Sequence, residues 1–515
     1  MPAVASPRSW LQVCDEFAHA HGLDRGLFEL LFCFRAADPR GGPPPPPEPS
    51  FTGDFEALER GLLDAPLLTA TAPALAEDVD AEQAAMFARR VTAVDRGFAG
   101  LDADPGARLL RVGFRQRLRG ILAGPRPRAV RVRALADFYY SQLGRHRWRG
   151  ADSGTSVAAR VAELTWSEVA PGLEHARIAG PGPVGPVRVN LLRVDPARIR
   201  LEVHACHEAV ARGQGFAEHV RERGAIAAVS GGFFLYSEPD IAPPSARFDP
   251  VGLLIDEGRV VGPPSFRRAS LAVAEDGGVS LERLGLDTAS LTITTARGPW
   301  PVDGQAAWNR SRGQIGPGAD SVAIVGDRVL AVGRNLAIPL NGFVVPVAAA
   351  AGVAVGDPVD YAPVFGERGV ELRAAIAGGP TLVERGQVAI DFEREELWGS
   401  APPVTFAQDE TGDRNLLPRL AVGLDGDDRL VFVAVDGRDF DRALGMTLAE
   451  TAALMLELGC ATAINLDGGS SKRMVVRGEE VDLASTEITG GSERTDGVRP
   501  VYSGVFLFAD DRPPV

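Results

Sequence analysis

The sequence predicts an α+β protein, with mixed β-sheets and a few helices over about 160–510 preceded by a smaller, mainly helical domain over 1–150. Three observations predict it. Apolar residues recur at helical spacing through much of the first 150 residues. From about Leu164 the texture changes to short β-branched runs broken by Gly, Pro and Asp. Few helical stretches separate those runs, which favours α+β over a regular βαβ alternation. At 515 residues the chain is also too long for one ordinary core.

In chain order, Ser9 and Gln12 make a capping box that starts an amphipathic helix running to about His21. A second apolar run covers Gly26 to Phe34, and the Pro-rich 41–50 reads as a polyproline spacer. Helical periodicity returns at about 80–97, 107–123 and 130–144. Strands are predicted at 187–194, 199–203, 225–229, 253–255, 322–325, 329–332, 420–424, 430–435, 461–466 and 501–508, with helices at about 211–223 and 447–459. One pattern recurs. GLLIDEGRV then RASLAVAEDG (252–260, 268–277) is echoed by GPTLVERGQV then PRLAVGLDG (379–388, 418–426). Each pair reads as a hairpin followed by an Arg-led strand, hinting at two equivalent sheets facing a shared cleft.

The net charge of −14 argues against general nucleic-acid binding. The charge is uneven. From Arg108 to Arg149 there are twelve arginines and one acid, Asp137, interleaved with Phe138, Tyr139, Tyr140 and Trp148. That stretch reads as a solvated or docked helical face, or else as a landing site for a polyanion such as nucleic acid or a phosphorylated glycan. The four cysteines form no CxxC pair. The amino terminus has no charged segment leading into an apolar core, and no run is long enough to span a bilayer, so a soluble cytoplasmic protein is expected.

GPGPVG (180–185) fits a dinucleotide fingerprint by letter, but it contains two prolines and leads into a strand. All seven histidines precede residue 220, so a Ser-His-Asp hydrolase is not expected. His204, Cys206, His207 and Glu208 are ligand types at a spacing that fits no common zinc site. The informative run is ATAINLDGGSSKRMVV (461–476). There a strand ends near Leu466 and Asp467 projects from a turn, with Asn465 just before it. Gly468 and Gly469 permit close ligand approach, the backbone through Ser471 offers N–H donors, and Lys472, the only lysine, adds a charge suited to phosphate. A plain Asp-Gly turn is the alternative. Arg419, Asp436 and Arg438 bracket two strands, where an exposed ion pair is the simple reading. Glu450 completes a capping box with Thr447. No cofactor is demanded. A divalent cation stays open because Asp425, Asp427 and Asp428 share one turn, although acids on exposed turns are ordinarily just solvated.

Taken in order, these segments resemble the phosphodiester glycosidase family from about 160 to 510. The resemblance rests on VSGGFF (229–234) with GLLIDEGRV, WNRSR (308–312), IPLNGFVVPV, AIAGGPTLVERGQV, PRLAVGLDGDDRLVFVAVDGR, GMTLAETAALMLELGCATAINLDGGSS and VYSGVFLF. The chain departs from the family pattern at Ser230, where Asn is usual, and at Ser470–Arg473, where Gly-Ser-Ser-Thr is usual. The resemblance implies hydrolysis of a sugar-1-phosphodiester or phosphorylated glycan. Asp467 is then the first candidate carboxylate, Asp436 the second and Glu450 the third. Arg419, Arg438, Lys472 and the Gly468–Ser471 backbone would meet the phosphate. Asn465, Asn309 and Ser230 would orient sugar hydroxyls, with Arg310, Gly231 and Gly232 in the same matched blocks. A lapsed phosphoglycan-binding module, or a phosphodiesterase cutting a P–O bond, is the alternative.

Overall fold

The computed structural model describes residues 7–33, 50–149, 156–236, 241, 245–362, 364–365, 370–397, 414–485 and 499–509. The proline-rich spacer lies, apart from Ser50, outside the described residues. Helices α1 (Trp10–Ala20), α2 (Arg25–Cys33), α3 (Phe55–Asp64), α4 (Leu67–Leu75), α5 (Ala81–Ala99), α6 (Pro105–Ala123) and α7 (Ala129–Arg147) come first. The predicted capping box forms, with Ser9 and Gln12 satisfying each other's backbone N–H groups. Helices α3 and α4 escape sequence reading because both are short and Pro73 sits inside α4. Trp10, Phe87, Phe98, Phe114 and Tyr139 fill their common core.

The arginine-rich stretch is mostly spent inside this helical layer. Arg111 and Arg115 both engage Asp95 on α5, Arg108 pairs with Glu59 on α3, and Arg126 pairs with Asp78 after α4. These arginines are therefore neutralised by neighbouring helices and do not form a free polyanion face. The same core continues into the strand region through Phe234, Tyr236, Leu416, Phe440, Leu444 and Tyr502. Tyr140 donates its hydroxyl to the Leu444 carbonyl at 3.1 Å, and the Trp148 indole donates to the Phe440 carbonyl at 3.0 Å.

Short strands β1 (Arg8–Ser9) and β2 (Ser50–Phe51) pair beside the helices. An eight-stranded sheet contains β3 (Ser167–Ala170), β4 (Leu173–Pro181), β5 (Pro186–Val194), β20 (Thr381–Glu384), β21 (Gln387–Val388), β22 (Arg419–Asp425), β23 (Leu430–Val435) and β24 (Cys460–Leu466), ordered β21-β20-β24-β22-β23-β5-β4-β3. A five-stranded sheet, β26-β25-β7-β27-β6, is built from β6 (Ile199–Ala205), β7 (Ala227–Ser230), β25 (Met474–Val476), β26 (Glu479–Glu480) and β27 (Ser503–Ala509). A six-stranded sheet contains β8 (Leu254–Asp256), β9 (Arg259–Gly262), β10 (Arg268–Ala274), β11 (Val279–Leu284), β18 (Val364–Phe365) and β19 (Val370–Ala377), in the order β11-β10-β19-β8-β9 with β18 beside β19. Two three-stranded sheets lie between β11 and β18: β12 (Ser290–Thr295), β13 (Gly298–Val302) and β17 (Val359–Ala362); β14 (Ser321–Val325), β15 (Arg328–Gly333) and β16 (Gly342–Pro346). Helices α8 (His207–Ala211) and α9 (Phe216–Glu222) follow β6, and α10 (Leu448–Glu457) precedes β24. The fold class is α+β, and strands pair antiparallel in the three large sheets.

Strand β23 shows why these runs fold as they do. Leu430, Phe432 and Ala434 enter the core where the three large sheets converge, while Val431, Val433 and Val435 enter a second core under α10. Period-two alternation thus makes both faces apolar, and each buried Leu, Val or Phe contributes about 1.5–3 kcal/mol. The repeat seen in the sequence is topological. Hairpins β8–β9 and β10–β11 receive β19 between β8 and β10; hairpins β20–β21 and β22–β23 receive β24 between β20 and β22. The two units share an apolar core, with Leu254, Leu271 and Ile376 against Leu420, Val422 and Ile464. They do not face each other across a cleft, as the sequence suggested. The Gly180–Gly185 run is the β4–β5 hairpin turn, so it offers no helix terminus to a nucleotide. Among the described residues, no helix is long and apolar enough to cross a membrane.

Candidate functional site

A cleft enclosing about 920 Å³, open mouth included, lies where β24 ends and β22 begins. Its floor comes from the carboxy-terminal sheet region: Asn465, Asp467, Gly468, Gly469, Ser470 and Arg419. Arg438 follows β23, and Gly379 with Pro380 forms the crossing from β19 to β20. The opposite wall is helical, with Phe87 and Arg90 from α5 and Arg133 and Asp137 from α7. Phe233, Phe234, Tyr236 and Arg499 close the remaining side.

The Asp467 loop is held by its backbone. The Asp467 N–H donates to the Gly231 carbonyl at 2.8 Å, and the Gly469 N–H donates to the Pro418 carbonyl at 2.9 Å. A Cβ on Gly468 would sit 2.6 Å from the Pro418 oxygen, and one on Gly231 would sit 2.3 Å from the Ile376 methyl. At Gly468, where the atom met is backbone, only glycine permits the approach. Because Gly469 and Ser471 already donate within the protein, the expected anion nest is largely spent, and the cationic side chains lining the cleft are guanidinium groups.

Those groups are fixed in place. Arg419 donates to the Met446 carbonyl at 2.9 Å and the Asn415 carbonyl at 3.0 Å, bonds that fix the orientation of its guanidinium. Arg438 donates to the Ser470 hydroxyl at 2.9 Å and reaches Asp137 at 3.4 Å. Its backbone is left-handed (φ +58°), a conformation that costs a non-glycine residue about 1–3 kcal/mol and concentrates at functional sites. Asp137 also pairs with the fully buried Arg90. Arg499 stacks 4.1 Å from the Tyr236 ring centroid and donates to the Ser471 hydroxyl at 2.9 Å. Asn465 is 6% exposed and donates its amide to the Gly379 carbonyl at 3.0 Å. Its Oδ1 has no hydrogen-bond partner among the described residues, and a buried acceptor left unmade costs about 1–3 kcal/mol unless a ligand supplies the donor.

Several expected residues lie elsewhere. Lys472 is fully buried, with its ammonium bonded to Asp436 at 2.6 Å and paired with Asp482. It faces no phosphate. Burial alone would lower its pKa, but the two carboxylates outweigh that and raise it. Asp436 is equally buried, holds Arg188 at 2.9 Å and accepts the Leu483 N–H. It does not line the cleft, and desolvation raises its pKa despite Lys472. Glu450 bonds the Thr447 N–H at 2.8 Å as a helix cap and also stays out of the cleft. Ser230 accepts the Arg473 N–H at 2.8 Å behind the Asp467 loop, so neither Ser230 nor Lys472–Arg473 alters the cleft lining. Gly232 bonds Ser503 beside Gly231.

Asn309 lies at a separate, polar depression with Arg312 and Glu396, donating to Glu396 at 2.6 Å. Arg310 donates to the Ile338 carbonyl. The acidic turn is occupied by arginine, since Asp425 and Asp427 both pair with Arg429 at 2.9 Å. His204 is wedged between Asp256 and Glu202, His207 bonds the Phe248 carbonyl, and the buried Cys206 thiol is pushed up to about 12. Glu202, His204 and Glu257 place ligand-type atoms together, but Arg200 pairs with Glu202 and Arg223 lies 3.2 Å from His204, charges that oppose a cation. Sequence reasoning missed Arg90, Arg133, Asp137 and Arg499. One signal was present: Asp137 is the lone acid among twelve arginines.

Comparison with known proteins places this site in context. Residues 346–508 match the family model described as phosphodiester glycosidase. The SPbeta prophage-derived uncharacterized protein YomE of Bacillus subtilis is 39% identical over 77 residues, 15% of this chain. The chain spans about a tenth of that protein's length (11%). A hypothetical protein from Synechocystis is similar at a TM-score of 0.43 and 18% identity, covering 70% of this chain and 65% of that one. The zebrafish N-acetylglucosamine-1-phosphodiester alpha-N-acetylglucosaminidase catalytic domain, auto-inhibited by its pro-peptide, is similar at a TM-score of 0.40 and 16% identity, over 70% of this chain and 95% of that one. The stretch that matches the phosphodiester glycosidase model, residues 346–508, carries Arg419, Arg438, Asn465 and the Asp467 loop.

Proposed function

We propose that the cleft hydrolyses a sugar-1-phosphodiester at the bond between the anomeric carbon and the phosphate oxygen. One observation carries this reading: a family-matched carboxylate, Asp467, shares a cleft with Arg419, Arg438 and Arg499, aromatic side chains, and the unpartnered Asn465 oxygen. Aromatic faces and a buried amide oxygen suit a sugar ring and its hydroxyls. Guanidinium groups suit phosphate, which they bind through paired N–H donors.

In this reading the C1–O bond breaks with both electrons leaving on the phosphate oxygen. The phosphate is already a stable anion, so the leaving group needs positive charge more than a proton. Arg419 and Arg438 supply that charge as it grows in the transition state. Asp467 either attacks C1 itself or takes a proton from the water that does, against an oxocarbenium-like transition state. The products are free sugar and a phosphomonoester. Asp137, shared between Arg90 and Arg438, acts here as a positioning residue for Arg438.

The test is release of free sugar from a panel of sugar-1-phosphodiesters in water enriched in oxygen-18. Label in the sugar supports C–O cleavage. Label in the phosphate would instead make the protein a P–O phosphodiesterase. Binding without turnover across the panel would leave a phosphoglycan-binding module.

A further inference from the structure

We infer that the polar depression around Asn309 is a second carbohydrate subsite, one that takes a neutral sugar unit and performs no chemistry itself. The first observation is the cavity. It encloses about 490 Å³, open mouth included, within the range of about 300–1,000 Å³ common for small-molecule sites. Its lining joins two guanidinium groups, Arg267 and Arg312, with two carboxylates, Asp287 and Glu396, and the amides of Gln305 and Asn309. Those charges balance, so the depression has no bias toward an anion.

The second observation is which of these groups are already committed. Glu396 accepts the Arg267 backbone N–H at 2.9 Å, the Asn309 amide at 2.6 Å and the Ser311 hydroxyl at 2.7 Å, which fixes one wall. Asp287 spends one oxygen on Arg267 at 2.8 Å and keeps the other as an acceptor. The exposed Gln305 side chain makes no hydrogen bond among the described residues. Nor does the exposed Arg312 guanidinium, 5.9 Å from the Trp308 ring centroid. The depression therefore presents an acceptor, a donor and an amide that is both. Sugar hydroxyls donate and accept, so neighbouring hydroxyls of one ring match that set, whereas a phosphate offers acceptors only and would meet Asp287. The third observation is position. Glu396 lines the depression and the next residue, Leu397, lines the cleft, so one segment forms part of both walls. The depression is placed to hold a further sugar unit of the glycan that enters the cleft, a link that rests on the proposed reaction.

Binding tests the subsite apart from turnover. Saturation-transfer NMR on the full chain would use the methyl glycosides of glucose, galactose, mannose and N-acetylglucosamine, which carry no phosphate. At least one should bind wild type, and the double variant Gln305→Ala, Arg312→Ala should weaken that binding about tenfold, as expected for the loss of two hydrogen-bonding side chains. Both side chains are exposed, so circular dichroism should show the fold intact. Inorganic phosphate should not displace the glycoside. Failure of all four probes to bind would overturn the subsite, as would an affinity unchanged in the double variant or displacement by phosphate. Should variant-sensitive binding appear with no turnover of any sugar-1-phosphodiester, the subsite stands and the proposed reaction falls. Turnover without such binding would do the reverse.

Discussion

At the scale of single residues, chemistry divides between groups that face the cleft and groups that hold it up. Asp467, Asn465 and Arg438 stand beside glycine turns at strand ends and Arg419 opens β22, positions that marked all four as candidates in the sequence and that line the cleft. Lys472 and Asp436 were misread for a physical reason. A lysine after Asp-Gly-Gly-Ser-Ser looks solvent-facing, but β25 begins at Met474 and carries the chain straight into the core. The partner that explains the burial, Asp482, lies beyond the next turn and has no local signature. Replacing Lys472 with Met should therefore cost about 3–5 kcal/mol, because it strands two buried carboxylates. Urea denaturation near neutral pH measures this, since a raised lysine pKa stabilises fully below the unfolded value of about 10.4. A loss below about 1 kcal/mol would mean the pair is not formed.

At the scale of elements, the strands were readable because both faces of the central sheet are apolar and their ends carry turn residues. The order of strands was only hinted at by the repeated hairpins. Placing β19 and β24 inside their units requires pairings between residues about a hundred and about forty positions apart, which local pattern does not encode. Helix α10 gives the clearest functional contrast at this scale. Glu450 and Thr447 satisfy each other's N–H groups as a capping box. Glu450→Ala should cost about 1 kcal/mol in stability, while kcat/KM on any substrate found stays within about twofold. A drop of a hundredfold without unfolding would return Glu450 to the catalytic list.

At the scale of the whole molecule, the helical region and the sheets share one apolar core and one cleft wall. Composition exposed the charge of the helical layer but not its use, because Arg108, Arg111, Arg115, Arg126, Arg128 and Arg147 pair with carboxylates distant in sequence. The molecule's response to alkali follows from its buried thiols. Burial pushes Cys206 and Cys460 up to about 12, so the folded state keeps protons that the unfolded chain loses above roughly pH 8.5. Stability should fall between about pH 9 and 10, by up to about 3 kcal/mol per pH unit for two thiols together. Urea titrations at pH 8, 9 and 10 check this, and a flat profile would contradict it.

Asp467 is proposed to do the chemistry of a sugar-1-phosphodiester cleft. The most direct measurement is free-sugar release by wild type and Asp467→Asn on the same substrate, with equal folding shown by circular dichroism and thermal unfolding. Turnover by wild type is expected, with a fall in kcat of about a thousandfold or more in the variant, roughly 4 kcal/mol of lost transition-state stabilisation. A folded Asp467→Asn protein that releases sugar at the wild-type rate would contradict it.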